Sequence, residues 1–204
     1  MKEIKLNLGC ASRPLQNYVN IDLSSSGELK KRYPNIEIPH DIEIYQYDIF
    51  NLPYADGSVD EVRSDSLLEH LSFKEEKLFF YEIKRVLKIN GTLIFSVPDF
   101  EKMVEDWLVA SDDWQDFYRD DQEAIQKNHW FGTYSYGFEN RWGYLLASIF
   151  GPQNSDGQFH KNAYTEKKII KILKKIDFKI VKIENYLWKS NRNKMIYVEA
   201  IKNE

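Results

Sequence analysis

The chain has 204 residues, 43% hydrophobic and 29% charged, which is enough to bury one sizeable core and excludes a disordered polyelectrolyte. A net charge of -4 argues against general nucleic-acid binding and leaves small molecules as the expected partners. A lone cysteine, Cys10, excludes an internal disulfide, the charged start Met-Lys-Glu-Ile-Lys lacks a signal-peptide core, and no run nears the ~18 apolar residues of a membrane span. The expectation is a cytoplasmic protein without a membrane partner.

Ile4, Leu6 and Leu8 form an apolar run that reaches Gly9, and a second run, Tyr18-Val19-Asn20-Ile21, stops at Asp22. Both read as strands around a glycine turn. Ser24-Ser25-Ser26-Gly27 is a turn signal, and the polar segment to Asp41, broken by Pro34 and Pro39, reads as a short helix plus loop. Ile42 to Tyr47 alternates as a strand and ends at Asp48, and Val59 to Arg63 is a short charged strand. Ser72-Phe73-Lys74-Glu75 is a capping box opening a helix with Phe79, Ile83, Val86 and Leu87 on one face; Asn90-Gly91 reads as its stop, so the helix is predicted to reach about Ile89. Thr92 to Val97 suits a buried parallel strand, and a helix from Phe100 to Val109 follows.

Residues 111–163 differ in texture, with eleven aromatic residues between Trp114 and Phe150. Core packing of an inserted helical lid explains them, and so does an acceptor pocket, since planar ligands and sugars pack on aromatic faces. Thr165 caps a helix with Ile169, Ile172, Leu173 and Ile176 on one face, and Phe178–Tyr186 and Met195–Ile201 read as a closing antiparallel pair. Strands alternating with helices and then an antiparallel pair predict one α/β domain over residues 1–204, with an open sheet and helices on both faces. Only residues 10–17 separate Gly9 from Tyr18, too few for an ordinary parallel crossover, so the first helix is expected to be reduced or missing.

Ligands of such sheets bind beyond the carboxyl ends of the strands, where Gly9 and Asp22 would sit. A dinucleotide fingerprint is absent: its glycine places read Gly9, Ala11 and Pro14, and Asp22 follows Gly9 by only 13 residues. Pro14 has no amide for a pyrophosphate, so a ligand with adenosine and no phosphate fits better, and a nicotinamide oxidoreductase fits poorly. Leu6-Asn7-Leu8-Gly9-Cys10-Ala11, Asp22, Asp48-Ile49, the segment Ser64–Leu71 ending Leu-Glu-His-Leu, and Ile89-Asn90-Gly91-Thr92-Leu93 together resemble, in order, the motifs of the class I S-adenosylmethionine-dependent methyltransferases, of the small kind found in sugar and surface-polysaccharide gene clusters. A weaker echo is Phe159-His160-Lys161 followed by Tyr164-Thr165.

The resemblance implies a Rossmann-like, mostly parallel seven-stranded sheet with an antiparallel C-terminal strand and the aromatic-rich segment as lid. It implies S-adenosylmethionine as cofactor, with Asp22 and Leu23 at the ribose, Asp48 and Ile49 at the adenine, and Asn7, Gly9, Cys10, Ala11 and Ser64 along the edge. Asn7 stands where the family carries an acid, Ala11 where it carries a second glycine, and Arg13 could pair with the methionine carboxylate. Methyl transfer to a poorly acidic hydroxyl needs a base, for which Glu69, His70, Asp99, His129 and His160 are candidates. No pair has the spacing of a metal site, and His70 and His160 meet only if the fold brings them together. The function implied is O-methylation of a sugar or other small polar acceptor, with a homodimer as a candidate assembly. The rival is a non-catalytic binding protein with the same fold, favoured by Asn7 and Ala11.

Overall fold

The structure is a computed structural model that describes residues 3–34, 38–39, 41–110, 148–151, 153, 157–188 and 193–204. Its seven strands are β1 (Lys5–Leu8), β2 (Val19–Ile21), β3 (Ile44–Tyr45), β4 (Val59–Asp65), β5 (Leu87–Pro98), β6 (Phe178–Trp188) and β7 (Asn193–Lys202). They form one sheet in the order β3-β2-β1-β4-β5-β7-β6. β1 to β5 run parallel, and β7 is antiparallel to both of its neighbours. The helices are α1 (Ser26–Arg32), α2 (Phe73–Val86), α3 (Phe100–Val109) and α4 (Glu166–Lys175). Strand order reverses between β1 and β4, so the right-handed crossovers that carry α1 and α2 pass over opposite faces and leave a crevice between them.

Alternation along the strands decides which face is filled. Leu6, Leu8, Val62, Leu93, Phe95, Ile196 and Val198 are fully or almost fully buried and meet Phe79 and Ile83 of α2 and Ile169 and Leu173 of α4 in one cluster. Both long helices open as their sequences require. Ser72 and Glu75 form the reciprocal capping box of α2, and the Thr165 hydroxyl accepts from the Lys168 amide at the start of α4.

Several boundaries differ from expectation. The second helix stops at Val86 and not near Ile89, because Leu87 is extended and pairs with Val59 of β4. Its last carbonyls, those of Arg85 and Val86, accept from the Gly57 and Ser58 amides, so no terminal Asn-Gly is needed. Asn90 (φ 64°) and Gly91 instead form an irregularity inside β5, which begins at Leu87 and not at Thr92. β3 is reduced to Ile44–Tyr45, and β4 runs on to Asp65.

Between Gly9 and Tyr18 there is no helix, as the short crossover required. Two buried asparagines hold the loop in its place. Asn20 Oδ1 accepts from the Leu15 amide (2.7 Å) and from Asn7 Nδ2 (2.8 Å), while Asn20 Nδ2 donates to the Leu15 carbonyl (2.9 Å). Asn7 Nδ2 also donates to the Arg13 carbonyl (3.1 Å). Side-chain amides thus satisfy backbone groups that a helix would have satisfied internally. Asn20→Ala, which orphans these partners, is expected to destabilise the protein by about 2–4 kcal/mol in urea unfolding followed by circular dichroism.

Candidate functional site

At the carboxyl ends of the parallel strands lies a cleft of about 460 Å³, within the size range of small-ligand sites. One end is lined by Gly9, Ala11, Asp22, Leu23, Asp48 and Ile49, the other by Ser66, Leu67, Glu69, His70, His160 and Lys161. Segments far apart in sequence therefore share one cavity.

Gly9 ends β1 with φ 64°, and a Cβ there would lie 2.9 Å from Leu67 Cδ1. The glycine is required by the Leu67 side chain packed against it, as well as by the turn. Ala11 (φ 42°) directs its amide to Asp22 Oδ2 at 2.9 Å, while Asp22 Oδ1 accepts from the Ser24 amide at 2.8 Å. The carboxylate is fixed by one backbone donor on each oxygen and retains acceptor capacity on both. Asp48 is held similarly: its Oδ1 accepts from the Phe50 amide at 2.9 Å. Leu23 is 82% exposed beside Asp22 and forms an apolar lip of the cleft.

At the other end, the turn after β4 is tight. Ser66 has φ 55°, a costly conformation for a non-glycine residue, and its amide donates to the Ser96 carbonyl. It swings Leu68–His70 into a single 3-10 turn over the cleft. The Glu69 carbonyl accepts from the amides of both Lys161 (2.8 Å) and Asn162 (3.1 Å), which docks the segment carrying His160 against this turn. Behind it, Asn162 Nδ2 and Lys168 Nζ both donate to Glu76 of α2 (2.8 Å each), and the Lys168 ammonium lies 4.1 Å above the Tyr164 ring. Gly151 (φ 83°) passes so near that a Cβ would meet the Gln158 carbonyl oxygen at 2.0 Å, and the Phe150 carbonyl accepts from the His160 amide.

The fold thereby brings His70 and His160 together, with ring centroids 4.9 Å apart at 73°. His70 Nδ1 lies 3.1 Å from the Phe159 carbonyl oxygen, which favours the tautomer protonated at Nδ1. Burial holds His70 below the ordinary histidine range and, with His70 beside it, pushes His160 down to about 4. Glu69 is 3% exposed, its Oε2 has no hydrogen-bond partner, and burial pushes its carboxyl up to about 8. At neutral pH both rings are uncharged and Glu69 is mostly protonated. Donor atoms of Glu69, His70 and His160 all lie within 4.8 Å of one another, a grouping that sequence spacing did not signal.

Other expected site residues lie elsewhere. Asn7 is 4% exposed, its amide is committed to the loop, and with Cys10 it lines a second cavity, of about 570 Å³, on the sheet face without the first helix. Ser64 is wholly buried and lines neither cavity, because it points from β4 into the packed face. Asp99 is the cap of α3: Oδ1 accepts from the Lys102 amide (3.2 Å) and Oδ2 from Asn185 Nδ2 (3.1 Å), so its carboxylate is used within the fold, and it does not line the cleft. Arg13 lines both cavities, donates to the Asp65 carbonyl (3.1 Å) and stacks 4.4 Å over Trp188. His129 and most of the expected lid, residues 111–147, fall outside the described residues. Ser66, Leu67 and Lys161 entered the sequence reading only as parts of the Ser64–Leu71 and Phe159-His160-Lys161 motifs, without a role at the site, and Trp188 was missed. The first two follow the β4 motif directly, whereas Trp188 reaches the site only through the strand order.

Three comparisons bear on this geometry. Residues 6–95 match the family model of the methyltransferase domain. An S-adenosylmethionine-dependent methyltransferase from Methanosarcina mazei superposes with a TM-score of 0.60 at 17% identity, over 100% of this chain and 94% of that one. The fold is that of the class I methyltransferases. A 1,6-didemethyltoxoflavin-N1-methyltransferase from Burkholderia thailandensis, solved with its acceptor and S-adenosylhomocysteine, shares this methyltransferase fold at a TM-score of 0.56 and 12% identity, over 98% of this chain and 71% of that one. An uncharacterized 37.1 kDa protein of a Streptomyces fradiae transposon is 30% identical over 116 residues, and this match spans 52% of the present chain and 33% of that protein. The methyltransferase match covers both strand-end carboxylates and the Glu69-His70 turn, and stops before the segment that delivers His160.

Cys10, in the glycine turn of this methyltransferase fold, is 2% exposed, and burial pushes its thiol up to about 12. Because only thiolate reacts, alkylation of the folded protein is expected to be at least tenfold slower than that of the urea-unfolded chain throughout pH 7–9, as followed by mass spectrometry.

Proposed function

We propose that the protein is an S-adenosylmethionine-dependent methyltransferase acting on a small polar acceptor, with O-methylation of a sugar or related metabolite as the reaction. The observation that carries this reading is the shared cleft: fixed carboxylates at the ends of β2 and β3, and a buried glutamate with two neutral imidazoles opposite. The donor set fits the adenosyl group. Asp22 retains acceptor capacity on both oxygens for the paired ribose hydroxyls, Asp48 for the adenine amino group, and Leu23 and Ile49 give the base apolar walls. Pro14 in the loop removes an amide that a pyrophosphate would need.

When bound, the cofactor supplies an electrophilic methyl group on a sulfonium. The chain's contribution is to position the acceptor oxygen in line and to dispose of its proton. The cluster of Glu69, His70 and His160 faces the cleft where that proton must leave, and His160 is the side chain this reading assigns to the acceptor hydroxyl. Residues 111–163 serve as the acceptor lid in this reading, which is supported by their aromatic content.

Two charge-assisted hydrogen bonds to ribose are worth roughly 1.5–3 kcal/mol, about 10- to 150-fold in affinity. Asp22→Ala is therefore expected to weaken S-adenosylhomocysteine binding at least tenfold in calorimetry, while nicotinamide dinucleotides bind neither form. His160→Ala is expected to lower kcat at least tenfold with cofactor affinity unchanged. Unchanged adenosyl affinity in Asp22→Ala would refute the cofactor assignment. Adenosyl binding without turnover on any acceptor of a broad hydroxyl panel would favour the non-catalytic reading.

A further inference from the structure

We propose that Glu69, His70 and His160 bind one divalent transition-metal ion of the zinc kind at the acceptor end of the cleft. The three donors lie within 4.8 Å of one another. In a tetrahedral site with metal–ligand bonds of about 2.0–2.2 Å the donors stand roughly 3.3–3.5 Å apart, so side-chain movements of an ångström or so close the set. The two segments that carry the donors are already docked on each other through the Glu69 carbonyl and the Lys161 and Asn162 amides.

Two further observations point to a ligand. Glu69 is 3% exposed and lines the cleft, yet its Oε2 has no hydrogen-bond partner, and among the described residues no basic side chain forms an ion pair with it. A cation bound in the cavity would satisfy this buried carboxyl oxygen, displacing its proton. The outer contacts are those that orient ligating imidazoles: the Phe159 carbonyl faces His70 Nδ1 and leaves Nε2 with a free lone pair, while backbone groups of Ser148 and Ile149 engage the His160 ring.

The donor chemistry selects the metal. Two imidazole nitrogens and one carboxylate oxygen suit zinc, cobalt, nickel or ferrous iron and not magnesium or calcium, which take oxygen ligands. Three protein ligands leave a position open to the cleft, as in catalytic zinc sites. The proposal rests on the methyltransferase reading only for its use. There the open position would take the acceptor hydroxyl oxygen and make it more acidic, so that its proton passes to solvent, the oxygen's electron pair forms the new bond to the methyl carbon, and the carbon–sulfur bond breaks with its pair going to the sulfonium sulfur, releasing S-adenosylhomocysteine.

The test uses the full chain, stripped with a chelator and titrated with zinc(II), cobalt(II) and magnesium(II). One equivalent of zinc is expected to bind below 10 μM, cobalt to give visible absorption bands of a low-coordinate N/O site, and magnesium not to bind. Glu69→Gln, His70→Ala and His160→Ala are each expected to weaken zinc binding at least tenfold. Folding of each variant is checked by circular dichroism, and Glu69→Gln, which keeps the side-chain shape, guards against loss through misfolding. Asp22→Ala is expected to keep zinc affinity while losing S-adenosylhomocysteine. Failure to bind zinc at one equivalent, or zinc affinity unchanged in all three ligand variants, overturns the metal site and leaves the cofactor reading intact. Zinc binding without any adenosyl affinity overturns the reading and leaves the metal site.

Discussion

One backbone oxygen holds the candidate site together. The Glu69 carbonyl accepts from two consecutive amides, those of Lys161 and Asn162, and so ties the 3-10 turn after β4 to a segment some 90 residues further along. Among the described residues neither segment has regular structure long enough to fix itself: the turn covers Leu68–His70, and the docked stretch meets the sheet at the bridge between Asp99 and Tyr164. Long-range anchors supply what local structure cannot. The Glu76, Asn162 and Lys168 contacts and the close approach of Gly151 make the position of His160 a consequence of α2, α4 and the turn together. Glu69 is buried there with Oε2 lacking a hydrogen-bond partner, and burial raises its carboxyl above the usual range.

The other end of the cleft depends on a substitution of means. Where a parallel crossover ordinarily carries a helix, this chain uses residues 10–17 as a loop and satisfies its backbone with Asn7 and Asn20. Asn7 is thereby withdrawn from the cleft, and its departure from the family's acidic residue has a structural use. Among the described residues, the same economy leaves one face of the sheet uncovered beside β4, β6 and β7, where Arg63, Asp65, Tyr186, Trp188 and Tyr197 line the second cavity.

Much of this was legible in the sequence because it is local. The capping box of α2, the cap of α4, the strands β4 to β7, the missing first helix and the two strand-end aspartates each follow from residues within a few positions of one another. The end of α2 was misread because its last carbonyls, those of Arg85 and Val86, are capped by Gly57 and Ser58, each 28 positions earlier, while the nearby Asn90-Gly91 bends a strand instead. Asp99 at a strand end looked like Asp22 and Asp48, but a strand-end aspartate that opens a helix is already employed as its cap. The grouping of Glu69, His70 and His160 had no local signature at all, since it is created by the docking just described.

The central claim is that the cleft holds an adenosyl ligand between the strand-end aspartates and the glutamate–histidine cluster. A crystal structure of the full chain with S-adenosylhomocysteine tests it most directly. The account predicts ribose hydroxyls on the Asp22 carboxylate, adenine beside Asp48 and Ile49, and the sulfur directed toward Glu69, His70 and His160. A ligand seated in the open-face cavity against Arg63 and Tyr197, with the cleft empty, would contradict it.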